Sequence, residues 1–310
     1  MLKKTRKSNN IKVVATGRYI PEKIITNFDF EKIMDTSDEW IYSRTGIKSR
    51  HFADEETTAD LAYKAVINAI EKYNFDINKI DLIICATITA NLKTPSLSNM
   101  IQGKLGLTDK VMSFDVNAAC SGFIYSLDIA TQMLNSGSKN CALVIGAESL
   151  SKITNLEDRS TAVLFGDGAG AMIIENTEEN KPAYFYSCAI PDNDNILSID
   201  KHIYMDGKKV YQFAVKIIPE AMQTVLNDAN LTINDINKII PHQANIRIIE
   251  TAAKFFAISL DKFYVNIEKY GNTSAASVII ALDEYLDSLD DKNNLKILLV
   301  AFGGGFPWAA

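Results

Sequence analysis

Histidine is scarce: among 310 residues there are three, His51, His202 and His242, so any imidazole chemistry must use one of them. Cysteine is nearly as sparse. Cys85, Cys120, Cys141 and Cys188 show neither metal-type C-x-x-C spacing nor the pattern of a disulfide framework. Long apolar runs are missing; residues 80–90 and 297–302 are far too short to cross a bilayer, which excludes a membrane span. No secretory leader is visible, so a reducing cytoplasm is the expected compartment. Basic charge is not in excess either. Lys and Arg total 32 against 38 Asp and Glu, a net charge of −6 that argues against a nucleic-acid partner. What the chain does have is a hydrophobic content of 47%, enough for a large core and too much for disorder. The length predicts two lobes, and the lack of a Pro- or Ser-rich linker predicts that they pack tightly.

Residues 1–10 carry Lys3, Lys4, Arg6 and Lys7 without a following apolar stretch, and read as a solvated basic tail. Beyond it the chain echoes itself. Asp76-Ile-Asn-Lys-Ile80 recurs as Asp235-Ile-Asn-Lys-Ile239, each after an amphipathic helix. The first helix places Leu61, Ala62, Ala65, Val66 and Ala69 on one face, the second Ala221, Met222, Val225, Leu226 and Ala229. Phe114-Asp-Val-Asn117 matches Phe263-Tyr-Val-Asn266 as paired strands, and residues 142–147 and 297–301 read as buried strands. Matches in the same order imply a duplication, with halves at 11–175 and 176–310. Strands alternating with helices give an α/β fold whose central sheets are mostly parallel and layered with helices.

Cys120 stands in Val116-Asn-Ala-Ala-Cys-Ser-Gly-Phe123, between a strand and the apolar helix 123–134. Small neighbours allow a sharp turn and substrate access, and a helix N-terminus favours the thiolate. The plainer reading is a buried structural thiol, which is retained for Cys85, Cys141 and Cys188 in their strand-like runs. His242 follows a buried strand in Pro241-His-Gln-Ala-Asn245, at the strand end where α/β sheets bind ligands. His51 and His202 read as surface or loop residues. Asn272, in Gly271-Asn-Thr-Ser-Ala-Ala-Ser277, is either a helix cap or the second-half counterpart of Cys120. Two such turns in a pseudo-symmetric fold would meet at one site, with His242 beside them. Phe165-Gly-Asp-Gly-Ala-Gly170 leads into a strand rather than a helix, which argues against a dinucleotide loop. The run 303–305 puts bare glycine backbone after the last buried strand. Trp40 and Arg44, four apart on one helical face, pair a stacking plane with a phosphate-binding fork, or a half-buried Trp with an Arg stem.

The order Cys120, His242, Asn272 also fits a papain-like cysteine peptidase, but neither that family's cysteine signature nor its architecture is present. Six motifs resemble another family. These are Asp35-Thr-Ser-Asp-Glu-Trp-Ile41 with Arg44-Thr-Gly-Ile47, Ala118-Ala-Cys-Ser-Gly-Phe123, Phe165-Gly-Asp-Gly-Ala-Gly170, Pro241-His-Gln-Ala-Asn245, Gly271-Asn-Thr-Ser-Ala-Ala-Ser277 and Ala301-Phe-Gly-Gly-Gly-Phe306. In this order they resemble β-ketoacyl-acyl-carrier-protein synthase III, over about residues 11 to 308.

The resemblance implies a thiolase-like fold of two similar halves, usually a homodimer, with acyl-coenzyme A as substrate and no tightly bound cofactor or metal. Cys120 would take the acyl group as a thioester. Malonyl-acyl carrier protein would then lose carbon dioxide, with His242 and Asn272 donating hydrogen bonds to the thioester enolate. The backbone N–H groups of Cys120 and Gly304 would form the oxyanion hole. Trp40 and Arg159 would flank the adenine of coenzyme A, Arg44 would reach its phosphates and Asn245 its pantetheine arm. Arg247 and Lys254 would meet the acidic carrier protein. Departures from the family pattern are Thr94, in place of a bulky acyl-pocket Phe contributed across the dimer, and a short stretch 187–206. Phe255 follows Lys254 where a second basic residue is usual, and Pro307 replaces a Thr. The chain stops at Ala310 without the customary final strand. These departures leave a second reading, a specialised relative acting on unusual acyl groups in polysaccharide or secondary metabolism. A non-catalytic carrier-binding scaffold is set aside because the whole trio is present.

Overall fold

A strand that is apolar at every position must be covered on both faces. Two strands in the first half, Leu82–Ala86 and Cys141–Glu148, are buried along their whole length. The computed structural model, which describes residues 6–8, 11–108, 110–179 and 181–310, accordingly places helices on both sides of their sheet. That sheet contains β1 (Ile11–Tyr19), β2 (Leu82–Ala86), β3 (Met112–Val116), β4 (Cys141–Glu148) and β5 (Gly168–Asn176), in the order β1-β5-β4-β2-β3. A second sheet contains β6 (Ser187–Ala189), β7 (Lys238–Pro241), β8 (Ile297–Phe302) and β9 (Pro307–Ala309), in the order β6-β9-β8-β7. Pairing is parallel between β2 and both β3 and β4, and between β7 and β8. Antiparallel strands β5 and β1, or β9 and β6, extend the other side of each sheet.

Six helices position the site: α1 (Asp38–Thr45), α2 (Thr58–Tyr73), α3 (Gly122–Asn135), α4 (Gly207–Asp228), α5 (Ile246–Phe255) and α6 (Ser277–Asp287). Alternation along β2 sorts them into layers. Leu82 and Ile84 face inward and pack with Phe123 and Ile124 of α3 and Ile279 and Leu282 of α6, which also meet Ile240 and Ala301 of the second sheet. Ile83 and Cys85 face outward against Leu61, Ala65 and Val66 of α2. On the far side, Ile239, Leu298 and Val300 pack with Ala221 and Met222 of α4 and Ile249 of α5. The result is helix, sheet, helix, sheet, helix, and truncating one fully buried residue such as Ile84 to Ala would cost ~2–5 kcal/mol.

Several sequence expectations need correction. The letter match between 76–80 and 235–239 is out of step with the backbone. Both long helices end at a left-handed asparagine, Asn74 (φ 48°) and Asn230 (φ 55°), and each continues into one 3-10 turn, Ile77–Lys79 and Ile233–Asp235. The true counterparts of the α2 face therefore lie one turn earlier on α4 than the letters imply, at Ile217, Ile218, Ala221, Met222 and Val225, all buried. Ala229, expected in that face, is the half-buried C-cap. Phe263-Tyr-Val-Asn266 is not a strand like β3; it makes one parallel bridge, Phe263 to Ile239, before turning into the helix Ile267–Tyr270. A final strand does exist: β9 turns back after residues 303–305 and pairs with both β8 and β6, so three residues satisfy two edges. In the expected basic tail, the backbone of Arg6–Ser8 pairs antiparallel with Ala183–Phe185; the rest of that tail lies outside the described residues. His51 sits half-buried in the strand Ser49–Phe52, its Nδ1 2.5 Å from the Pro21 carbonyl, because that strand pairs with Lys23–Thr26. His202 is exposed between strands.

Candidate active site

Between β3 and α3 the chain makes a single 3-10 turn, Ala119–Ser121, with Cys120 at its centre. Ala119 is left-handed (φ 44°), a conformation that costs a residue with a Cβ ~1–2 kcal/mol and persists only when its surroundings enforce it. A matching turn, Ser274–Ala276, leads into α6, and Ser274 has φ 47°. This pairing makes Ala275 the counterpart of Cys120, and Asn117 the counterpart of Asn272. The expected equivalence of Cys120 with Asn272 is thereby corrected, since the inserted helix Ile267–Tyr270 breaks the letter register. The loop after β8 closes over the first turn. A Cβ on Gly303 would lie 2.6 Å from the Cys120 nitrogen, so only glycine lets the two backbones meet.

Cys120 is 9% exposed. Burial pushes its thiol up to about 12; the neighbouring Ser274 hydroxyl opposes this and the charge of Glu148 adds to it. The effect of the helix terminus, which favours the thiolate, is therefore outweighed by desolvation. His242 follows Pro241 at the end of β7, its N–H donating to the Val300 carbonyl at 2.7 Å. Its ring stands edge-on to Phe302, 5.6 Å between centroids, and burial lowers it to about 3, so the imidazole is neutral near pH 7. Nδ1 lies 2.6 Å from Ser277 Oγ, and that oxygen also accepts the Gln243 N–H at 3.4 Å. A Ser277 hydroxyl that donates to Nδ1 leaves Nε2 carrying hydrogen and acting as a donor. Asn272 accepts the Ser274 N–H on Oδ1 at 2.8 Å, which leaves its amide NH2 as the donor end.

Cys120, His242 and Asn272 all line one cavity of ≈ 480 Å³. Asn117, Ala119, Ser274 and residues 303–305 share its wall, and Leu197, Ile199, Ile203, Met205 and Val210 give it an apolar side. The arrangement sets a cysteine sulfur, an imidazole and an amide around one pocket with an apolar side, which suits acyl transfer and stabilisation of a developing oxyanion.

Comparison with known proteins agrees with this chemistry. The sequence model of 3-oxoacyl-[acyl-carrier-protein (ACP)] synthase III matches residues 114–190, and the model of its C-terminal part matches residues 226–310. A β-ketoacyl-[acyl-carrier-protein] synthase III of Acholeplasma laidlawii is 54% identical, with 97% of each chain covered. One of Clostridium acetobutylicum is 45% identical, covering 97% of this chain and 98% of its own. The chain belongs to this family. It is an acyltransferase of the condensing type with a thiolase-type fold. A crystal structure of the synthase III from Aquifex aeolicus has a TM-score of 0.92 at 43% identity, covering 96% of this chain and 98% of its own. The priming β-ketosynthase of the R1128 polyketide pathway has a TM-score of 0.91 at 32% identity, covering 97% and 95%.

In this condensing enzyme the remaining sequence-predicted residues fall into four places. Gly304 and Asn245 line the cavity with the trio. Trp40, Arg44 and Arg159 stand outside it as a stack, with the two guanidinium carbons 4.6 and 4.7 Å from the indole centroid. Arg159 also donates to the Asp35 carbonyl at 2.6 Å. Asn245 caps α5 and donates to the Arg44 carbonyl at 2.9 Å, while Arg247 donates to the Ser43 carbonyl at 2.9 Å; both tie α5 to the end of α1. Lys254 is exposed in the last turn of α5 next to Phe255, 61% exposed. Thr94 is exposed before the helix Leu97–Lys104 and is not among the residues that line this chain's cavity. Sequence reasoning assigned no task to Ser274, Ser277, Phe302 or Glu148. The one available signal was a charged Glu148 directly after the apolar run 142–147.

Proposed function

We propose that the enzyme uses Cys120 to take an acyl group from acyl-coenzyme A and then condenses it with malonyl-acyl carrier protein, starting fatty-acid chains. The observation that carries this reading is the single cavity shared by Cys120, His242 and Asn272. Attack of the sulfur on the primer thioester gives a tetrahedral intermediate whose oxyanion meets the N–H groups of Cys120 and Gly304. Decarboxylation of the malonyl thioester then places negative charge on the enolate oxygen, where His242 Nε2–H and the Asn272 amide donate. The enolate carbon attacks the acyl-cysteine, and the β-ketoacyl product leaves on the carrier.

Coenzyme A enters along the Trp40, Arg44 and Arg159 stack. Its adenine takes the face of Trp40 now covered by Arg159, Arg44 meets the phosphates, and Asn245 lies beside the pantetheine arm. Arg247 and Lys254 receive the acidic carrier. Thr94 acts in a homodimer, where it opens the partner's acyl pocket to primers longer than acetyl. The chain works in the cytoplasm, as two halves meeting near residues 175 and 176; among the described residues no helix is long and apolar enough to cross a membrane. Intact-mass analysis after acyl-coenzyme A treatment tests the reading: the wild type gains one acyl group on Cys120, and an adduct on another cysteine would overturn the assignment. Competition between primers of different length and branching tests the Thr94 role, and strict acetyl selectivity would refute it.

A further inference from the structure

An amide that is to donate to negative charge must not turn its carbonyl toward the cavity, where it would repel that charge. The main chain of Asn272 is fixed by the first half: its N–H donates to the Leu164 carbonyl at 2.9 Å and its carbonyl accepts the Gly166 N–H at 3.0 Å. Rotation of the side-chain amide is the freedom that remains. The Ser274 N–H restrains it by donating to Oδ1 at 2.8 Å, since a half-turn would set NH2 against N–H. The direction of that N–H depends on the left-handed backbone of Ser274, φ 47°, which costs a residue with a Cβ ~1–2 kcal/mol. The Ser274 side chain is tied down in turn. Its hydroxyl donates to Glu148 Oε1 at 3.2 Å, and both residues are buried.

Glu148, the last residue of β4, makes no ion pair among the described residues, although a buried carboxylate is costly without a charged partner. Neutral donors from the loop after β2 hold it. The Thr89 hydroxyl reaches Oε2 at 2.7 Å, the Ile88 N–H lies 3.2 and 3.1 Å from the two oxygens, and the Thr87 hydroxyl is 3.3 Å away. Thr89 is anchored as well: its carbonyl accepts the Thr58 hydroxyl of α2 at 2.6 Å and its Oγ1 the Ser149 N–H at 2.9 Å. We propose that Glu148 and Ser274 are positioning residues for Asn272. The carboxylate, gripped by the first half, holds the left-handed Ser274 of the second half so that the Asn272 NH2 faces the cavity. The proposal deepens the reading of Asn272 as an enolate donor and rests on it. Glu148 serves as a hydrogen-bond post, and no proton is transferred.

The test measures acyl-cysteine formation and condensation with malonyl-acyl carrier protein separately, on the full-length protein. Ser274→Ala and Glu148→Ala should each lower kcat for condensation about 10- to 10²-fold, with KM for malonyl-acyl carrier protein changed less than about threefold. Acyl-cysteine formation should fall far less, because it does not use the Asn272 amide. Glu148→Gln should keep condensation within about threefold of wild type, its carbonyl accepting from Ile88 and Thr89 while its NH2 donates to Ser274 Oγ. Added to Asn272→Ala, Ser274→Ala should cost nothing further, because both act through one amide. Losses that multiply in that double variant, or acylation slowed as much as condensation, would overturn the proposal. So would a Glu148→Gln enzyme as slow as Glu148→Ala, since charge rather than position would then matter. Should Glu148→Ala fail to fold, Ser274→Ala, which removes a single oxygen, decides the question. Asn272→Ala alone separates this from the parent reading: condensation that survives it sinks the enolate role, whereas its loss beside a fully active Ser274→Ala sinks only the positioning.

Discussion

Ala119 and Ser274 occupy the same point in two turns, with φ of 44° and 47°, and each turn runs directly into a helix of the middle layer. In the first turn the next residue is Cys120, which lines the cavity; in the second it is Ala275, 1% exposed and packed against Gly146. Two residues before each left-handed position stands an asparagine, Asn117 or Asn272, and both line the cavity. The duplicated backbone therefore supplies the same frame twice, and side chains divide the work. One turn carries the cysteine. The other carries a hydroxyl and an amide donor, and its small third residue lets the turns approach.

The largest effect is expected where the two turns differ most. Cys120→Ala should abolish the acyl adduct by intact mass, and adding Ala275→Cys to it should not restore one, because position 275 points away from the cavity. Recovery of an adduct in that double variant would mean that the turns are interchangeable. Next, His242→Ala and Asn272→Ala should keep the adduct yet lose ~10²–10³-fold in condensation, as removal of an oxyanion donor does. Asn117→Ala, the same truncation in the first turn, should reduce condensation far less under the same assay.

Acid should expose a further asymmetry, between His242 and Glu148. The folded value of His242 is lowered from 6.5 to about 3, so its contribution to stability is complete above 6.5 and is lost as pH falls toward 3, by a few kcal/mol on the scale of ~1.4 kcal/mol per pK unit. Glu148 is raised from 4.5 to about 7 and acts in the opposite sense: its contribution is present below 4.5 and lost as pH rises through 7. Urea unfolding across this range should show His242→Asn flattening the acid limb and Glu148→Gln flattening the neutral one. Gly303→Ala, which forces a methyl onto the Cys120 nitrogen, should lower stability by ~1–3 kcal/mol in a thermal melt. The smallest effect belongs outside the cavity: Trp40→Ala should raise KM for acyl-coenzyme A, at a loss of ~1–2 kcal/mol, with kcat little changed.

Much of this organisation is legible in the sequence alone. The apolar spacing of Leu61, Ala62, Ala65, Val66 and Ala69 marks a helix face, and all five are buried. Small residues around Cys120 and the proline before His242 mark the turns that present them. The repeat register was not legible, because identical letters at 76–80 and 235–239 are local while alignment of the halves is set by where the helices end, at Asn74 and Asn230. β9 escaped notice because three residues carry no periodicity. Glu148 was hidden for a different reason: a carboxylate after an apolar run looks like a strand end reaching solvent until the second half covers it.

By itself, then, the sequence determined the α/β class and marked Cys120, His242 and Asn272 as the three residues proposed for the chemistry, since periodicity and turn chemistry are local properties of the chain. Only the tertiary structure decided which groups meet and in what protonation state. Ser277 orients His242, Ser274 reaches across to Glu148, and burial outweighs the helix terminus at the thiol. Those outcomes depend on distances and desolvation created when the two sheets close on the middle helices, which no spacing along the chain encodes.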